Sequence, residues 1–135
     1  MCFFLHGALN GDVSEAEYES VIGKYEYNLA RGTKHDVKIA VKESTMIVKT
    51  EFRITDGGCD CESAVGRHDP KNQEIVDLSN MISELAALSG AKQINICKTW
   101  IGRRNKKEVN VNIKDIEIPV FLADMEENVL YSVNI

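Results

Sequence analysis

The chain has 135 residues, 44% of them hydrophobic and 27% charged, the balance of a globular domain of common size. Its formal charge of −5 and pI near 5.2 argue against a general electrostatic affinity for nucleic acid or an anionic membrane surface. One domain over residues 1–135 is the expectation.

Met1 to Gly11 holds no Lys, Arg, Asp or Glu, lacks a basic leader and is too short to cross a bilayer, which predicts a cytoplasmic protein without a membrane partner. In that compartment the four cysteines are expected as reduced thiols, core residues or metal ligands rather than a disulfide framework.

Cys2 to Leu9 reads as a buried opening strand. Asn10-Gly11-Asp12 turns the chain, and Ser14 with Glu17 forms a capping box that starts a helix at Glu15, with Val13 placed to staple onto Tyr18. Tyr18, Val21, Ile22, Tyr25 and Leu29 space one buried stripe, Gly32 supplies a stop, and Gly23 marks a point where the helix can break. Val37, Ile39 and Val41 alternate with Lys38 and Lys42, as Met46, Val48, Thr50, Phe52 and Ile54 do with Lys49, Glu51 and Arg53. Two strands turning at Glu43-Ser44 as a hairpin are expected.

Asp69 followed by Pro70 predicts the cap and first turn of a second helix, whose Ile75, Leu78, Ile82 and Leu85 face the core and which Gly90 ends. Ile94 to Ile101 and Val109 to Ile116 read as strands joined by the basic connection 102–107, Pro119 opens a short helix, and Val129, Tyr131, Val133 and Ile135 alternate in a closing strand. The order β-α-β-β-α-β-β-α-β predicts an α+β fold. Its sheet is mixed and largely antiparallel, with about six strands, and two main helices and one short helix pack mainly on one face.

Reactive groups concentrate in residues 57–70, where Cys59, Cys61, His68, Asp60, Glu62 and Asp69 follow a strand and precede a helix. Cys59, Cys61 and His68 are candidate ligands for a metal, zinc by the chemistry of thiolate and imidazole, with Cys2 or His6 as a further donor. On a regular strand Cys2 and His6 share a face yet stand roughly 13 Å apart, so at most one of them joins. The opposing reading leaves Cys2 and Cys97 as small core residues and Cys59 and Cys61 at a strand end with no ion.

A thiol-dependent enzyme or redox switch is the second chemistry. Cys59 or Cys61 would react near the amino end of the second helix, His68 or His6 would serve as base, and Arg67 would favour thiolate or hold an anion. Cys59 and Cys61 oxidised together would close a very small ring that is easily reduced.

Lys98, Arg103, Arg104, Lys106 and Lys107 gather positive charge around the expected tip between two strands. Such a tip suits an acidic protein surface, which gives a third reading, a noncatalytic protein-interaction module. Trp100 shares a strand face with Ile94 and Ile96 and is assigned to the core rather than to base stacking. The chain contains no glycine-rich phosphate loop, Gly-x-Ser-x-Gly elbow or His-Glu-x-x-His helix, so the sequence specifies no reaction. The metal and thiol readings place any site where the opening strand lies beside the loop at 59–68.

Overall fold

A strand that is apolar or small at nearly every position needs cover on both faces. Phe3–Leu9 (β1) is such a strand, and all seven of its residues are buried. The computed structural model describes residues 3–25, 30–31, 46–53, 60–100 and 105–135, and the elements below are those of the described residues.

Ser14 caps α1 (Glu15–Ile22): its hydroxyl oxygen accepts from the Glu17 N–H at 3.2 Å while the hydroxyl donates to the Glu17 carboxylate at 2.8 Å. The helix ends at Gly23, the expected break, well before Gly32. The two-residue β2 (Ala30–Arg31) and β3 (Thr50–Arg53) follow. The strand expected at 37–41 and its turn lie outside the described residues, and the strand expected from Met46 is regular only from Thr50.

Helix α2 (Gln73–Ser89) begins later than Asp69-Pro70 suggested. Asn72 is its cap, accepting from the Glu74 N–H at 2.9 Å, whereas the Asp69 carboxylate accepts from the Lys71 N–H within the preceding turn. Gly90, in the left-handed conformation, closes the helix as expected. Then come β4 (Gln93–Trp100), β5 (Lys107–Asn112), the short α3 (Ile118–Ala123) with Pro119 in its first turn, and β6 (Val129–Asn134).

The fold is α+β. Five strands of four residues or more and the short β2 form one mixed sheet in the order β2-β3-β1-β4-β6-β5. Pairing is antiparallel except between β5 and β6, which run parallel. This corrects the expected basic hairpin: β5 does not pair with β4 but lies at the sheet edge beyond β6, with α3 as the crossover between the two parallel strands.

Pleating divides the sheet into two sides. Leu5, Leu9, Ile94, Ile96, Tyr131 and Val133 pack with Tyr18 and Val21 of α1, Ile75 to Leu85 of α2, and Phe121 and Leu122 of α3. Phe4, Ala8, Cys97 and Leu130 form the other side with Met46. All three described helices therefore cover one face, and none is long and apolar enough to cross a membrane.

Gly7 is set by β3. A Cβ built there would stand 2.0 Å from the Phe52 ring, which lies fully buried over the strand. Gly7→Ala is expected to cost about 1–3 kcal/mol in urea unfolding through overpacking, and Phe52→Leu added to it should recover part of the loss.

Candidate functional site

The described register between β1 and β3 runs from His6 to Leu9, so it leaves the groups at Phe3 and Leu5 on that edge of β1 to find other partners. Asp60 supplies them. Its N–H donates to the Phe3 carbonyl at 2.8 Å, and its buried carboxylate accepts from the Leu5 N–H at 2.8 Å. The Phe3 N–H in turn donates to Cys61 Sγ at 3.4 Å, so two adjacent loop residues act as a short stretch of strand beside β1.

The far side of the loop is tied to the helices. Glu74, in the first turn of α2, accepts from the Ser63 hydroxyl at 3.1 and 3.2 Å and from the Ala64 N–H. The Gly66 N–H donates to the Leu122 carbonyl at 3.0 Å and the His68 N–H to the Ala123 carbonyl at 2.9 Å, which lays the segment along the end of α3. Gly66 has φ of +82°, and a Cβ there would meet the Met125 carbonyl oxygen at 2.7 Å, so this turn requires glycine.

Beneath the loop lies Lys98. Its strand position, opposite Leu5 in the β1–β4 register, puts it on the helix-covered side of the sheet, where it is 5% exposed. Its ammonium donates to the Val65 carbonyl at 3.1 Å and stands 5.3 Å from the centre of the Phe3 ring. Burial pulls the Lys98 ammonium below the ordinary lysine range; Glu127 opposes this, Arg67 adds to it, and Cys61 and Asp60 oppose it more weakly. The assignment of Lys98 to an exposed basic tip is thus corrected. It is a core lysine facing the thiol loop.

Among the described residues, Cys61, His68 and His6 have different immediate partners. Cys61 is half-buried, and Arg67, exposed, donates from its guanidinium to the Cys61 carbonyl at 2.7 Å, so these two stand together. His68 does not join them: it adopts a left-handed backbone, φ of 62°, and its Nδ1 lies 2.9 Å from the Asp124 carboxylate. His68 and Asp124 line an open groove with Gly66, Lys106, Lys107 and Glu126.

His6 belongs to the opposite side of the sheet, buried beside Phe4 and paired in register with Cys97. Lys107 lies 3.9 Å from the Glu126 carboxylate. Cys2, Cys59, Arg103 and Arg104 lie outside the described residues. Among the described residues no group of three or more His, Cys, Asp or Glu side chains could hold a metal ion.

Sequence reasoning missed two residues of this site. Lys98 interrupts the helix-facing positions Ile94 and Ile96 of a buried strand, and that interruption was its only available signal. Asp60 stands between the two cysteines, where its sequence position carries no signal beyond that of a loop carboxylate. No protein-family model, curated protein or solved structure matches this chain.

The buried amine has a pH consequence. Because its folded pKa is depressed, the native state binds fewer protons than the unfolded chain between that pKa and the ordinary lysine value of 10.5. The charged lysine therefore costs stability below that window, and the cost lifts as pH rises through it. Chemical unfolding of the protein and of Lys98→Met should show the variant favoured at neutral pH relative to its standing near pH 10.5, with the wild type recovering against it as the medium becomes alkaline. A difference independent of pH would contradict the assignment.

Proposed function

We propose that this protein works through the thiol of Cys61, as a thiol-dependent enzyme or redox switch whose site comprises Cys61, Lys98 and Arg67. The observation that carries the reading is the Phe3 N–H directed at Cys61 Sγ. That hydrogen bond fixes the sulfur at the edge of β1, half-open to solvent on the side from which an electrophile would approach. Two cationic side chains support it, the buried Lys98 ammonium below the loop and the Arg67 guanidinium fastened to the Cys61 carbonyl. Arg67 is exposed and suits an anionic group on a substrate.

The contrast with Cys97 sharpens the proposal. Cys97 is fully buried, whereas Cys61 is half-open to solvent. Cys59, two residues earlier in the sequence, serves in this reading as the thiol that exchanges with Cys61 under oxidation, in a strained and readily reduced ring.

Iodoacetamide labelling at neutral pH with peptide mapping tests the proposal. Cys61 should be alkylated severalfold faster in the folded protein than in the unfolded chain, and Lys98→Met should slow it, while Cys97 should react only on unfolding. Alkylation of Cys61 no faster in the folded state than in the unfolded one would end the thiol reading.

A further inference from the structure

The loop that carries Cys61 runs on into a second set of reactive side chains, which the thiol reading leaves unused. The Gly66 and His68 N–H groups donate to the Leu122 and Ala123 carbonyls, and these bonds lay the segment across the end of α3. Asp124 caps that end, and its carboxylate stands 2.9 Å from His68 Nδ1. His68 reaches it from a left-handed backbone, φ of 62°, a conformation that residues other than glycine adopt at a cost and that collects at working sites.

An ionised carboxylate only accepts hydrogen bonds, so in the neutral ring Nδ1 carries the proton and the lone pair is left on Nε2. The imidazole keeps 76% of its side-chain surface open to solvent. It lines a groove of about 730 Å³ between the loop and the start of β5.

Charge narrows what the groove takes. Lys106 and Lys107 line it with Asp124, Glu126 and Glu127, two ammonium groups against three carboxylates. A phosphoester would meet a net negative wall. An uncharged acyl ester meets no such barrier, and the ammonium groups suit the oxyanion that forms from its carbonyl.

From this arrangement we infer that His68 is a general base, positioned by Asp124, for the hydrolysis of small uncharged carboxylic esters in the groove. His68 Nε2 takes a proton from water as the water oxygen bonds to the acyl carbon and the carbonyl π pair moves to oxygen. The Asp124 carboxylate stabilises the imidazolium that results. As the tetrahedral intermediate collapses, the carbon–oxygen bond to the alcohol breaks and the imidazolium returns its proton to the departing oxygen. Acid and alcohol leave with the ring restored.

This site stands apart from the thiol proposal, since Cys61, Lys98 and Arg67 are not among the residues lining the groove. The full chain is given p-nitrophenyl acetate or, in a parallel arm, p-nitrophenyl phosphate at neutral pH. N-acetylhistidine at three molecules per chain, one for each histidine, is the reference.

Acetate turnover should exceed the reference by about a hundredfold, the lower end of what a positioned base contributes, and the phosphate should not turn over. His68→Asn, chosen because asparagine tolerates the left-handed backbone, should remove the excess. Asp124→Asn should lower kcat with KM held, as loss of a positioning carboxylate requires. Acetate turnover no faster than N-acetylhistidine in the folded wild type would overturn the inference, as would turnover that survives in His68→Asn or a preference for the phosphate. The first comparison is read without any variant having to fold.

Discussion

Asp60 is the pivot of this structure. β1 carries polar backbone groups that β3 does not reach in the described register, and an unpaired backbone group in an apolar surrounding costs on the order of 1–3 kcal/mol. One residue answers two of them, with its N–H on the Phe3 carbonyl and its carboxylate under the Leu5 N–H. Because Asp60 is bound there, Cys61 falls beside the Phe3 N–H and Val65 falls over Lys98, and Glu74 then fixes the other flank of the loop. A carboxylate that looks like one more reactive group in a reactive loop is the part that aligns the loop with the sheet.

The pleat explains why the thiols and imidazoles stay apart. Adjacent strand residues point to opposite sides, so Leu5 and Lys98 share the helix-covered face while His6 and Cys97 share the other. His6 and the loop thus lie on different sides of one layer, however close they are along β1. On its own side His6 belongs to a polar set with Asn95, Thr99 and Ser132, all buried.

Much of the architecture was legible because it rests on local signals. The Ser14 cap, the Gly23 break, the Gly90 stop and the alternation of the closing strand each follow from a few neighbouring residues, and the α+β class follows from their order. The errors came where a distant partner decides. Asp69 and Asn72 both suit a helix cap, and the position of the loop against Glu74 favours the later one. The strand at Lys107–Asn112 reads as the second arm of a hairpin until α3 is seen to carry the chain back to a parallel neighbour. Lys98 resembles every other basic residue near it in sequence, and only its register opposite Leu5 sets it inside.

The pairing of β1 with β4 also bears on how the chain comes to be folded. Phe3 meets Trp100 and Leu9 meets Ile94, so the central pair of the sheet joins the first described strand to one nearly a hundred residues downstream. Such high contact order slows folding, because a long loop must close before any of its contacts stabilise it. During synthesis an apolar strand leaves the ribosome well ahead of its main neighbour, and its pairing edge stays uncovered by β4 until residue 100 has emerged.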